Sequence, residues 1–285
     1  MKQLFFFFIT IFVTNLFCQS QINSIINAQI VNTNKYPIPF ASIGYYNHTT
    51  GSISNDSGLF IIKRIVGDSF KVSSVGYKSK TFVVTNDFSI STIVLEENYT
   101  DLEEVLVKSR HKTTNQTSIG FSKNKDNYLN MLVGQLQEAV FITNETKLRG
   151  YIDEIKFKLS EFRKTTYQLR IRIYNVHPIT KLPFEDLLLS DNILNSNQLK
   201  HNNTLSLKSK TIELPEDGIF ISFEWIPQSG VTNENETTPY ILGNLNAEKN
   251  YVYTNFKEIK WYPSNTTSPQ TGKFRTLNVS VKISY

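Results

Sequence analysis

Cysteine is almost absent: Cys18 is the single one in 285 residues. If the chain is cut after it, the mature protein has none. That would exclude a disulfide framework, a Cys-ligated metal and a thiol nucleophile. Histidine is scarce as well, at His48, His111, His177 and His201. None is followed three or four residues later by Asp or Glu, the close spacing a zinc site uses. All four read as surface or loop residues, so no metal site is expected. Charged residues are only 19% of the chain, and they form no basic block. The formal charge of +5 falls to +4 (5 − 1) if Lys2 leaves with a leader. A nucleic-acid binder needs a concentrated stripe of Lys and Arg, so no nucleic-acid partner is expected. There is no Gly-x-Ser-x-Gly elbow, no Gly-rich phosphate loop with Lys and no His-Glu-x-x-His. No catalytic residue and no cofactor is therefore assigned.

Apolar and aromatic residues are well represented, at 40% and 13%. That suffices for packed cores and is unlike a disordered chain. The length suggests two domains. At the start, Lys2 precedes the apolar run LFFFFITIFV (4–13), Asn15 interrupts it, and Leu16–Ser20 offers a cleavage zone. This is the anatomy of a secretory signal peptide over 1–20, with cleavage after Cys18 or Ser20. The run is too short for a membrane span. A lipoprotein reading would acylate Cys18, but the bulky Phe17 precedes it.

From Ala28 onward, short apolar runs alternate with turn residues in the rhythm of an antiparallel sandwich. Strands are expected at AQIV (28–31), PFASIGYY (39–46), GSIS (51–54), LFIIKRI (59–65), FKVSSV (70–75), from Tyr77 to Val84, and at STIVL (91–95). In the second of these, Phe40, Ser42, Gly44 and Tyr46 share one face, and Ala41, Ile43 and Tyr45 the other. Asn55-Asp56-Ser57-Gly58 is a hairpin turn, because Asn, Asp and Gly tolerate left-handed dihedrals. An isolated Asp56 in such a turn reads as structural, not as a calcium ligand. Tyr77 reads as a buried sandwich tyrosine.

Residues 96–127 are polar and linker-like, with LEEVLV (102–107) the strand-like exception. Beyond them, GQLQEAVFI (134–142) fits helix or strand by length, and its neighbours favour strand. TYQLRIRIYNV (166–176) alternates clearly. Tyr167, Leu169, Ile171 and Ile173 form a buried face; Gln168, Arg170, Arg172 and Tyr174 form a polar one. KLPFEDLLL (181–189) reads as a loop leading into an apolar run. LSLKSKTIEL (205–214), the central GIFISFEWI (218–226) and a final strand at 276–285 follow.

Three elements of the first half together carry a family likeness. They are Pro37-Ile38-Pro39-Phe40-Ala41-Ser42-Ile43, the turn Asn55–Phe60, and Val75-Gly76-Tyr77-Lys78. With them, residues 28–95 resemble the carboxypeptidase-regulatory-like domain, a transthyretin-like sandwich common in cell-envelope proteins of Bacteroidetes. Leu102–Val107 matches what often follows that domain. The family usually has Gly before its first Val, where this chain has Ala28-Gln29-Ile30-Val31. The resemblance implies a non-catalytic accessory module, often found ahead of outer-membrane receptor barrels. This chain is too short to be such a barrel itself. It implies an all-β protein: a signal peptide (1–20), a seven-stranded transthyretin-like sandwich (21–97), a linker (98–127) and a second, jelly-roll-like sandwich (128–285).

The expected role is that of an exported envelope protein in the periplasm, at the outer membrane or on the cell surface. It would bind a glycan, peptide or protein partner and touch membrane only through partners or a lipidated Cys18. Sandwiches bind sugars by laying an aromatic ring on the pyranose face. The candidates are Tyr251, Tyr253, Trp261 and Tyr262, in NYVYTNFKEIKWYP. The alternatives are a structural adaptor of an outer-membrane uptake complex, working through strand edges of the first domain, and a hydrolase built on paired carboxylates. Glu213, Glu216, Asp217 and Glu224 are the nearest acidic cluster. Glu224 is the unusual one, since it lies within an apolar strand.

Overall fold

A computed structural model describes residues 25–48, 50–98, 115–121, 127–128, 136–160, 167–188, 190–227, 238–257 and 259–285. The leader with Cys18, the LEEVLV segment and His111 lie outside the described residues.

The first half folds as seven strands: β1 (Ile25–Asn32), β2 (Ser42–Tyr45), β3 (Gly51–Ile53), β4 (Leu59–Lys63), β5 (Ser69–Ser73), β6 (Lys80–Val83) and β7 (Thr92–Leu95). They form two sheets, β4-β1-β7 and β3-β2-β5-β6. Alternation decides which side chains meet between them. Ile26, Ala28, Ile30, Phe60, Ile62, Ile93 and Leu95 face Ala41, Ile43, Tyr45, Phe70 and Val72 in one closed core. The expected turn at Asn55–Gly58 forms between β3 and β4, but it is not the hairpin expected: the two strands lie in different sheets, so the turn carries the chain from one sheet to the other. The Asn55 carboxamide oxygen accepts from the Ser57 and Leu59 amides, and Gly58 takes φ +71°. A Cβ on Gly58 would come within 2.4 Å of the Ile30 carbonyl, so glycine is required there on two counts. Tyr77 is half-buried against this core.

The second half supplies β8 (Gln116–Gly120), β9 (Asn127–Tyr128), β10 (Leu136–Ile142), β11 (Tyr151–Lys158), β12 (Tyr167–Val176), β13 (Pro183–Asp186), β14 (Asn192–Leu194) and β15 (Asn202–Ser206). It continues with β16 (Ile212–Glu213), β17 (Ile219–Pro227), β18 (Leu242–Ala247), β19 (Val252–Phe256), β20 (Trp261–Pro263), β21 (Phe274–Leu277) and β22 (Val279–Ser284). One sheet runs β13-β12-β17-β10-β19-β20, with β14 also on β12; the other runs β15-β11-β22-β8, with β16 also on β11. A small third sheet runs β21-β18-β9. The main core lies between the first two: Leu169, Ile171, Ile173, Ile221, Phe223 and Trp225 meet Ile155, Phe157, Val279, Val281 and Ile283. The all-β, two-sandwich architecture is the one expected.

Several local expectations need correction. Residues 183–186 form a strand, not a loop. Pro183 is tolerated because it opens an edge strand, opposite Val176. The run 205–214 is two strands, broken by a 3₁₀ turn at Lys208–Lys210 and by Thr211 at φ 48°. The break lets β15 and β16 pair with separate stretches of β11, on either side of its bulge at Ile152/Glu154. The final strand is likewise two. Asn278 leaves the ladder, donates its amide to the Leu242 carbonyl (2.8 Å) and turns the chain from one sheet into another. The polar segment 96–127 carries β8, which pairs with β22 from Gln116 to Gly120.

Candidate functional site

The face of the seven-stranded sheet turned away from the main core holds most of the chemistry. Register sets its rows. In one row, Arg170 lies opposite Glu224, Glu224 opposite Gln137, Gln137 opposite Asn255 and Asn255 opposite Trp261. In the next, the order is Arg172, Ser222, Ala139, Tyr253 and Pro263. The polar face of β12 was expected in the sequence, but its environment was not: Gln168, Arg170, Arg172 and Tyr174 are all buried.

The four aromatic candidates do not converge. Tyr253 and Trp261 join Phe141, Tyr174 and Phe220 in a packed cluster. Trp261 sits edge-on to Tyr174 at 5.6 Å, and Tyr253 edge-on to Phe220 at 5.3 Å. Burial pushes the Tyr253 hydroxyl above its ordinary range, with Lys249 pulling the other way. Tyr251 packs against Phe121 at 5.0 Å, toward the main core. Only Tyr262 is largely open, 53% exposed beneath the Lys260 ammonium. The arrangement is one of packed rings plus a single exposed tyrosine, not a continuous aromatic shelf.

Glu224 is held from two sides. Its Oε2 is 3.2 Å from Arg170 Nη1, and its Oε1 is 3.1 Å from Lys257 Nζ. The charges around it also include Asp191, 3.4 Å from Arg170 Nε and 3.7 Å from Arg172 Nη2, and Asp186, 3.8 Å from Arg172 Nε. Both oxygens of Glu224 are thus occupied by cations, which is the geometry of a structural clamp. Glu216 and Asp217 are exposed and paired with Arg149, Lys147 and Lys181; Glu213 is exposed. Among the described residues, no group of three or more His, Cys, Asp or Glu is placed to hold a metal ion.

The clamp reaches the first sandwich. Arg170 Nη2 donates to the Phe40 carbonyl, and Arg170 Nη1 lies 3.4 Å from Ser42 Oγ. Lys257 lies across the cross-strand pair Gly44–Gly51: a Cβ on Gly44 would come within 2.7 Å of Lys257 Cβ.

A second surface lies on the first sandwich. The outer face of β4-β1-β7 carries Ile25, Leu59, Ile61 and Val94, exposed by 49, 44, 48 and 39%. Asn27, Gln29, Lys63 and Thr92 share that face. Eight of the twelve exposed large apolar side chains among the described residues belong to residues 25–98, a small share of the chain. Scattered exposed apolar residues are ordinary; several on one sheet face are not.

Residues 26–107 match the family model of the CarboxypepD_reg-like domain. The match covers the first sandwich and stops short of the second. No curated protein matches the chain. Two crystal structures of BcpA, the major pilin subunit of Bacillus cereus, are similar at a low level. A single-residue variant of BcpA matches at 7% identity and a TM-score of 0.20, and BcpA itself at 8% and 0.19. Each comparison covers 85% of this chain and 66% of the pilin, so the chain spans less than two thirds of the pilin's length. Likeness at that level bears on neither fold nor function. Among the described residues, no helix is long and apolar enough to cross a membrane.

Within the CarboxypepD_reg-like domain, one carboxylate has a defined role. Asp68 is buried beside the β2–β3 turn. It accepts from His48 Nδ1 (2.7 Å), from Asn47 Nδ2 (2.8 Å) and from the Ser69 amide (2.7 Å). Burial works to raise its pKa, but the hydrogen bonds from His48, Ser69 and Asn47 outweigh it and hold the carboxyl below its usual range. A carboxyl lowered on folding stabilises the native state above its unfolded value, and that stability is lost as pH falls through the native value. Asp68→Asn is therefore expected to flatten the loss of thermal stability below about pH 4. Melting curves of both proteins between neutral and acid pH check this. Parallel curves would remove Asp68 from the acid response.

Proposed function

We propose that this protein is a non-catalytic, exported adaptor of the cell envelope, with the outer face of β4-β1-β7 as the surface that receives a protein partner. One observation carries the reading: Ile25, Leu59, Ile61 and Val94 stand exposed together on one sheet face. Burying such side chains on association is favourable by about 25 cal/mol per Å² of apolar surface, before the costs of ordering. The apolar leader at 4–13 supports export. The engagement of Glu224 by Arg170 and Lys257 supports a structural role for the one carboxylate that stood out as a candidate acid.

A second reading, glycan binding on the other sandwich, keeps one specific support: Tyr262, exposed with Lys260 over its ring. The two readings separate by substitution. Ile61→Lys is a surface change and is expected to shift stability by no more than about 0.5 kcal/mol. It is expected to abolish co-purification of a stoichiometric envelope protein, while Tyr262→Ala leaves recovery unchanged. Retention of a sugar by the wild-type protein, lost with Tyr262→Ala, would sink the adaptor reading in favour of the glycan one.

A further inference from the structure

We propose that the Arg170–Glu224–Lys257 cluster is an interdomain latch, which makes the two sandwiches one cooperative body in one fixed orientation. The inference stands on the interface alone, whether or not the outer sheet of the first sandwich binds a protein.

Four features of the interface lead to it. First, the charges sit where a solvated pair would not. The Arg170 and Lys257 side chains have no exposed surface, and Glu224 has 3%. Arg170, Arg172 and Lys257 face Glu224, Asp186 and Asp191, three cations against three carboxylates. A buried network of this kind persists only when its members are matched, because an uncompensated buried charge is strongly penalised. Part of the burial comes from the first sandwich, which covers Arg170 with Phe40 and Ser42. Closing the interface and balancing the charges are therefore linked.

Second, the contacting surface of the first sandwich is built from small residues. β2 presents Ser42 and Gly44, and β3 presents Gly51 opposite Gly44. Their outward positions would ordinarily face solvent in a two-sheet sandwich. Here Ser42 is buried, 1% exposed. The lack of side chains at the glycine pair leaves a flat track for the Lys257 stem. The three atoms nearest to a Cβ on Gly44 are Lys257 Cβ (2.7 Å), Ile259 Cγ1 (3.1 Å) and the Lys257 carbonyl oxygen (3.2 Å), all from the second sandwich. Glycine at 44 is thus needed by the partner sandwich and not by its own.

Third, each sandwich holds a non-glycine residue in the left-handed region at this contact: Phe40 at φ 55° and Lys257 at φ 44°. Such conformations are disfavoured for residues with a large side chain and persist where surrounding contacts over-determine them. The Phe40 carbonyl is fixed by Arg170 across the interface, and the Lys257 ammonium by Glu224 beneath it. Both strained residues are also contact residues.

Fourth, the grip is polar and directional. An apolar contact lets two surfaces slide. A guanidinium divided between Glu224, Ser42 and the Phe40 carbonyl accepts a narrow range of orientations. The latch therefore sets an angle between the sandwiches as well as a contact.

The test uses the full chain with two variants. Gly44→Val adds a branched side chain that β2 tolerates but that collides with Lys257. Lys257→Met keeps the stem and removes the ammonium. Hydrogen exchange along a denaturant series, read by mass spectrometry, follows peptides from 26–95 and from 136–283 separately. In the wild-type protein the two sets are expected to lose protection at one shared midpoint. In both variants the midpoints are expected to separate. Protection of the β2–β3 amides should fall by about tenfold or more at low denaturant, and small-angle scattering should report a larger radius of gyration. Shared midpoints and unchanged scattering in Gly44→Val would overturn the latch. So would separate midpoints in the wild-type protein.

Discussion

Glu224→Ala is expected to destabilise the second sandwich by about 3–5 kcal/mol, the cost of stranding a buried charge. The substitution leaves two fully buried cations, Arg170 and Lys257, facing an apolar methyl group. Asp191 relieves Arg170 in part, at 3.4 Å from its Nε, while the 3.1 Å contact between Glu224 and Lys257 is lost. Both tryptophans, Trp225 and Trp261, lie in the second sandwich. Their fluorescence therefore follows its unfolding in urea without signal from the first. At a slope of about 2–3 kcal/mol per M, the midpoint should fall by about 1–2 M. A comparison variant sharpens the argument. Arg170→Met with Glu224→Leu removes the central pair together. It should cost less than the sum of the two single changes, because neither Arg170 nor Glu224 is left facing the other's empty place, although Lys257 still loses Glu224. Strict additivity would mean that the two side chains do not act as a pair.

Phe223→Ala is expected to cost a similar amount, about 3–5 kcal/mol, by a different mechanism. Phe223 is fully buried on the inner face of central strand β17, and its ring meets Phe157 of the opposite sheet at 5.2 Å. Truncation leaves a cavity between two sheets whose backbones are fixed by their ladders, so the space cannot close. The same fluorescence measurement reads the loss. The two substitutions should differ in salt dependence. The Glu224→Ala cost involves charge, although burial limits screening, whereas the Phe223→Ala cost should be insensitive to added sodium chloride. A loss below about 1 kcal/mol for Phe223→Ala would show that the sandwich core is not organised around this contact.

Much of this architecture is legible in the residues. Alternation in β12 assigns Leu169, Ile171 and Ile173 to the core because period two leaves no other arrangement in a sheet. The Asn55–Gly58 turn is legible because its dihedral demands exclude most other residues. The largely apolar run of β17, interrupted by Ser222 and Glu224, announces a central strand. The misses have a common cause: each depends on something distant in the chain. Arg170 reads as part of a polar face because local sequence does not say that the first sandwich covers it. Gly44 reads as one more strand residue until Lys257, more than two hundred positions later, is found lying on it. Asn278 looks like part of a continuous strand until Leu242 offers its carbonyl. One signal was present: Glu224, a carboxylate within an apolar strand, requires a buried cation, and β12 carries two.

The candidate binding residues were less legible than the fold. Aromatic residues near a strand end serve packing or binding equally well by composition. Here Tyr253 and Trp261 join a packed cluster, and Tyr262 alone faces outward. In the sequence, Leu59 and Ile61 are legible only as strand residues. Their outward direction follows from β4 pairing with β1 in the register Asn27↔Ile61 and Gln29↔Leu59. Exposed surface of this kind is a property of the assembled sheet.

Site-specific photo-crosslinking in producing cells tests the adaptor proposal most directly, with the reactive side chain placed in turn at Ile61 and at Tyr262. The expected result is one discrete protein adduct from position 61 and none of comparable yield from position 262. A protein adduct from position 262 alone, or none from position 61 while the wild-type protein retains a glycan, would contradict it.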